Sequence, residues 1–151
     1  MKLEELIGRF TENAGLEKVS AVEGVWKFSA DGNVFGVTTD ETGERVWLFG
    51  EIPLPGPDRK GALLKAALEA NYFHRGTGGA TFSLNPATGA LTLFISKGLD
   101  GLDEERFFSL IEMFVNALAT WNALAGSAGV SQSSPPEDNP APLHPSGLMR
   151  V

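Results

Sequence analysis

His74 stands beside Gly76-Thr77-Gly78-Gly79, the one place in this chain where a histidine and a glycine-rich loop coincide. Such a loop can cradle phosphate when it ends in Gly-Lys-Ser/Thr and opens a helix. This one does neither, because it leads into the strand-like Thr81-Phe82-Ser83-Leu84, so its glycines read as a turn that needs positive φ. His74 then reads as a surface histidine. Asp100, Asp103, Glu104 and Glu105 form an acidic run, but it lacks the alternating ligands and closing glutamate of a calcium loop. Helix capping explains it, since carboxylates favour the positive end of a helix dipole. The second histidine, His144, sits in a proline-rich stretch where no rigid site can form. With no cysteine and no convergent carboxylate pair, neither a catalytic triad nor a metal cluster emerges, and no cofactor is implied. The chain reads as a binding protein rather than an enzyme.

What could bind is apolar. Trp26, Trp47 and Trp121 could stack nucleic-acid bases, but the basic groove that accompanies such stacking is missing. A net charge of -7 over 151 residues argues against duplex DNA and anionic membrane as main partners. The tryptophans read instead as core or protein-interface anchors. Two glutamates, Glu4 and Glu5, interrupt the N-terminal stretch where a signal peptide needs an unbroken apolar run. No stretch reads as the roughly 20 apolar residues of a membrane span, so the expected location is the cytoplasm, without membrane insertion.

The elements that position these residues follow from periodicity and turn chemistry. Leu3, Leu6, Ile7, Phe10 and Ala14 form one stripe of a helix over residues 3–14, with Gly15 placed for a left-handed cap. Val25 to Ser29 reads as a strand turned by Asp31-Gly32-Asn33 into a second strand, Val34 to Thr39. Asp40-Glu41-Thr42-Gly43 turns again into Arg45 to Ile52, completing an antiparallel meander. Pro53-Leu54-Pro55-Gly56-Pro57 is a rigid connector. Asp58 is the expected N-cap of a helix through Leu63, Leu64, Ala67, Leu68 and Tyr72. Thr81 to Leu84 and Leu91 to Ser96 form a second hairpin, and Asp103 caps a long final helix. That helix carries nine large apolar positions between Phe107 and Leu124, enough for two covered faces. The fold class is therefore α+β: helix, three strands, helix, two strands, helix, around a curved antiparallel sheet. The domain spans residues 1–124. Residues 125–151, rich in proline and serine, are expected to be a disordered tail.

Both sheet faces look apolar. Trp26 and Phe28 oppose Val25, Lys27 and Ser29; Trp47 and Phe49 oppose Val46, Leu48 and Ile52; Phe94 opposes Leu91, Leu93 and Ile95. A sheet with one wet face alternates with polar residues. Helices are expected on one face, and a second copy, a partner polypeptide or both on part of the other. Three helices covering both faces is the plainer alternative.

The element order, the small acidic cysteine-free chain, and Leu68-Glu69-Ala70-Asn71-Tyr72-Phe73 leading to Gly76-Thr77-Gly78-Gly79-Ala80-Thr81-Phe82-Ser83-Leu84 resemble the class I chaperones of type III secretion, the Tir chaperone family. Leu99-Asp100-Gly101-Leu102-Asp103 before Phe107 to Trp121 is similar to that family's passage from last strand to last helix. The resemblance covers residues 1 to about 124. It implies a cytoplasmic homodimer that holds the N-terminal region of a secreted effector in a non-globular form and presents it to the export machinery. Carried onto this chain, it assigns partner binding to Leu3, Leu6, Phe10, Val25, Phe28, Phe35 and Leu48. It assigns the dimer interface to Leu64, Leu68, Tyr72, Phe82 and Leu84. The proline-rich tail departs from the family's compact pattern. Two other readings stand beside it: an interaction or regulatory module of the same fold with no secretion role, and a small-ligand protein with a pocket over the sheet.

Overall fold

A computed structural model describes residues 2–130, with side chains described through residue 126. The expected tail therefore lies mostly outside the described residues. The elements are α1 (Leu3–Asn13), β1 (Trp26–Ala30), β2 (Asn33–Thr39), β3 (Arg45–Ile52), α2 (Pro57–Asn71), a single 3-10 turn (Tyr72–His74), β4 (Thr81–Leu84), β5 (Leu91–Gly98) and α3 (Glu104–Val130). The five strands form one antiparallel sheet in the order β1-β2-β3-β5-β4.

Local chemistry explains most boundaries. Gly15 takes φ 67° after α1, and the Leu16 amide donates back to the Thr11 carbonyl, closing the helix end. Asp31 (φ 52°) and Gly32 (φ 82°) both lie in the left-handed region, as a two-residue hairpin turn with the right twist requires. In the next turn the Asp40 carboxylate accepts hydrogen bonds from the Glu44 and Arg45 amides and the Thr42 hydroxyl. Desolvation pushes the Asp40 carboxyl up, but these donors together outweigh it and hold it below the ordinary carboxylate range. Asp103 caps α3 as expected, its Oδ1 accepting from the Arg106 amide at 2.9 Å.

Two boundaries differ from the sequence reading. α2 begins at Pro57 behind Gly56, so Asp58 sits inside the first turn and is not the cap. A proline is favoured at the first helical position, where its missing N–H would have no partner anyway. α3 is described to Val130, so residues 125–130, placed in the tail by the sequence reading, are helical. Its segment Glu104–Gly126 is also long and apolar enough, by length and composition, to cross a membrane, although no stretch was expected to be. Here that segment is the core helix, with Phe107, Phe114, Leu118 and Trp121 fully buried.

Helices α1 and α3 lie on one face of the sheet. That face is built from Phe28, Phe35, Val37, Val46, Leu48, Ile52, Phe82, Leu91, Leu93 and Ile95, all buried. Gly50 marks the closest approach: a Cβ there would stand 2.8 Å from the Leu118 methyls. Trp121 stacks edge-on against Phe82 and donates its indole N–H to the Gly76 carbonyl at 3.1 Å, so α3 also pins the glycine loop. Among the described residues, no helix lies on the other sheet face. Trp47, Phe49 and Phe94 lie half-buried on it, with Trp47 and Phe94 in ring contact at 5.8 Å.

Trp121→Phe removes the one donor to the Gly76 carbonyl among the described residues and leaves a gap beside Phe82. The expected cost is about 2–4 kcal/mol, from an unsatisfied buried acceptor plus lost packing. Urea denaturation should show a lower midpoint with an unchanged slope. An unchanged midpoint would show that the indole does not anchor the loop.

Candidate protein-binding surfaces

The sheet has two edge strands, β1 and β4, and they differ. The two-residue turn pairs Ala30 with Asn33, and the ladder continues through Phe28–Phe35 and Trp26–Val37. Antiparallel alternation therefore turns the N–H and C=O of Lys27 and Ser29 away from β2. Neither residue's backbone has a hydrogen-bond partner on that side among the described residues. Ahead of them, Val22 and Val25 exchange backbone hydrogen bonds of 2.9 and 3.0 Å, so the edge is covered there and opens only beyond Val25.

Beside this open edge runs an apolar groove of about 330 Å³ between β1, α1 and α3. Phe10, Leu16, Phe28, Phe108, Ile111 and Val115 supply its apolar wall. Phe10 is half-buried and sits edge-on to Phe28 at 5.5 Å and to Phe108 at 5.6 Å, which fixes the groove's floor. Leu16 stands exposed at its rim. A peptide lying along β1 could pair with Lys27 and Ser29 while its alternate side chains enter this groove.

A second apolar surface lies at the other end. Leu64 and Leu68, four residues apart on α2, form a stripe that continues into Tyr72 and Phe73. Leu68 is 71%, Tyr72 63% and Phe73 76% exposed, and Leu84 on β4 is 50% exposed. Phe73 (φ 50°) and His74 (φ 54°) are consecutive non-glycine residues in the left-handed region. Each costs on the order of 1–2 kcal/mol. The His74 ring bonds the Thr81 hydroxyl at 3.0 Å and the Gly76 amide donates to the Ala70 carbonyl, so the strained turn is tied at both ends. The result is an aromatic pair held out toward solvent.

These placements correct part of the residue assignment. Leu3, Leu6 and Leu48 are buried in the chain's own core, Leu6 and Leu48 completely, whereas Phe28 and Phe35 are buried but line the groove, and Phe10 and Val25 are half-buried. α1 must spend its apolar stripe on the sheet, and β3 is a central strand whose even-numbered residues face the helices. At the dimer surface Leu68, Tyr72 and Leu84 are exposed and Leu64 half-buried, but Phe82 is buried against Trp121. Sequence reasoning missed Phe108, Val115 and Leu16 as groove residues and Phe73 as the most exposed aromatic of the patch. The i, i+7 spacing of Phe108 and Val115 on the flank of α3 was the available signal.

A cleft of about 510 Å³ opens where the β2–β3 ladder stops at Gly36–Phe49 while β3 runs on to Ile52 beside β5. Lys27 and Glu51 are the charged groups at its rim. Among the described residues, no group of three or more histidines or acids could hold a metal ion.

The sequence profile of the Tir chaperone protein (CesT) family matches residues 5–122. The chain belongs to that family. A search of curated protein sequences finds no match. Among solved structures, the fold is similar to a chain of the ExsC–ExsE complex, with TM-score 0.66, 20% identity, and 83% of this chain and 97% of that one covered. It is similar to a chain of the HopA1–SchA chaperone–effector complex, with TM-score 0.62 and 17% identity over 80% of this chain and 92% of that one. It is also similar to an uncharacterized protein from Methanothermobacter thermautotrophicus, with TM-score 0.56 and 15% identity over 82% and 96%.

Leu48→Asp places a carboxylate at a fully buried position and is expected to abolish the cooperative thermal transition. Leu68→Asp, on the exposed stripe, is expected to shift stability by no more than about 0.5 kcal/mol. Circular dichroism melts of the two variants check the inner and outer assignment, and a folded Leu48→Asp chain would contradict it.

Proposed function

We propose that this chain is a type III secretion chaperone that binds the N-terminal region of an effector, keeps it soluble and non-globular, and presents it for export. Membership of the Tir chaperone family supports this, as does a fold shared with a chain of a chaperone–effector complex. The observation that carries the binding mode is the β1 edge: two open backbone positions, Lys27 and Ser29, beside a groove floored by Phe10, Phe28 and Phe108. An extended segment gains backbone hydrogen bonds from the edge and burial from the groove, so any cargo sequence with apolar residues at alternate positions is served. Trp47, Phe49 and Phe94, half-buried on the opposite sheet face, form a separate apolar surface that the groove does not reach. No reaction is part of this role, and no cofactor is needed.

The working unit is a homodimer in the cytoplasm, joined through Leu64, Leu68, Tyr72 and Leu84. Four clustered apolar residues, with Phe73 beside them, are more than a lone domain of this size leaves in one place. A second reading, an interaction module of the same fold with no secretion role, is equally compatible with the fold. The identity of the bound partner separates the two.

Ser29→Pro tests the binding mode. Proline deletes an N–H that faces away from β2, a position where an edge strand tolerates it. The tagged wild-type chain, purified gently from its native host, is expected to bring down an effector held by its N-terminal region. The variant is expected to capture at least about tenfold less, a loss of about 1.4 kcal/mol or more, with its melting midpoint within a few degrees of wild type. Equal capture would remove strand addition at β1 from the account.

A further inference from the structure

The β4 edge is closed, and a single side chain closes it. Asn71, the last residue of α2, donates from Nδ2 to the Phe82 carbonyl at 3.1 Å and accepts the Phe82 amide on Oδ1 at 2.8 Å. Both Phe82 groups point away from β5, because the alternation of an antiparallel ladder sends the backbone of every second residue outward. The carboxamide therefore makes the same two bonds that one residue of a neighbouring strand would make there. β4 has only four residues, so Phe82 and Leu84 are its two outward positions. With Phe82 taken, one remains, and one is too few to seat a strand.

We infer that Asn71 is an edge plug: it denies β4 to any extended polypeptide, whether cargo or the β4 strand of a second copy, and so confines strand addition to β1. The position of the plug is built. The left-handed Phe73 and His74 turn the chain sharply after α2, and the His74 ring and the Ala70 carbonyl fix the turn, which leaves the Asn71 side chain lying along the strand. A consequence concerns pairing of copies. The exposed Leu68, Tyr72 and Leu84 lie on this side of the molecule, so two copies can meet here through side chains without merging their sheets. The β1 half of the inference rests on the strand-addition reading; the β4 half stands without it.

The test compares Asn71→Ala with Asn71→Asp in the full chain, without cargo. Alanine removes both bonds and opens the edge. Aspartate keeps an acceptor for the Phe82 amide, loses the donor, and sets a negative charge on the edge, which keeps strands apart. Hydrogen exchange is expected to show the Phe82 amide exchanging at least about tenfold faster in Asn71→Ala, with the Leu93 amide still protected. Light scattering is then expected to show Asn71→Ala assembling beyond the wild-type mass as concentration rises, and Asn71→Asp remaining at the wild-type mass. Adding Ser83→Lys to Asn71→Ala should reverse the assembly. A folded Asn71→Ala chain with an unprotected Phe82 amide and the wild-type mass would overturn the plug, as would equal assembly of the alanine and aspartate variants. If Asn71→Ala does not fold, Asn71→Ser, whose hydroxyl cannot reach both Phe82 groups, is read by the same outcomes. Loss of the β1 reading through Ser29→Pro leaves this mass comparison standing, so the two failures are distinguishable.

Discussion

Everything in this molecule follows from α3 lying across one face of the sheet. Phe107, Phe114, Leu118 and Trp121 bury completely against it, and at Gly50 an added Cβ would push on the Leu118 methyls at 2.8 Å. Removing four such side chains from water contributes on the order of 6–12 kcal/mol before entropy is charged against it. That contact joins the helix to the sheet at the centre of the core, and it uses one sheet face only. The chain can therefore keep its second face, one edge and one helix stripe uncommitted without losing its fold. A binding protein for unstructured cargo needs that division between a saturated inside and an unsaturated outside.

The division extends to the backbone. Edge strands invite pairing, and an unguarded sheet would pair with anything extended. Here one edge is short and blocked by an amide side chain, while the other offers two open residues beside an apolar groove. Selectivity in such a system comes less from reading a sequence than from limiting where a strand can lie. The acidic surface works in the same direction, since a net charge of -7 keeps copies with exposed leucines and aromatics from collapsing together.

The fold was largely legible because its punctuation is strong. Asp31-Gly32, the Asp40 turn, the Asp103 cap and Gly15 each impose a backbone geometry that few alternatives satisfy. Asp58 misled because the proline before it was read as a barrier and not as a helix start. The binding surface was less legible for a physical reason. When both faces of β3 are apolar, alternation says that Trp47 and Leu48 point oppositely but not which one meets the helices. The family resemblance assigns Leu6, Leu48 and Phe82 to interfaces, and packing puts them inside. Asn71 carried no signal at all in one dimension, because its partner lies 11 residues away on a strand whose outward positions depend on register.

An extended cargo segment along β1 would cover the Lys27 and Ser29 amides, and hydrogen exchange on the chaperone with and without its captured partner reads this. The Lys27 and Ser29 amides are expected to gain protection on binding, while the partner's protected residues form one short N-terminal stretch with no globular fold. Protection of a folded partner domain, or a complex in which these two amides exchange as fast as in the free chain, would contradict it.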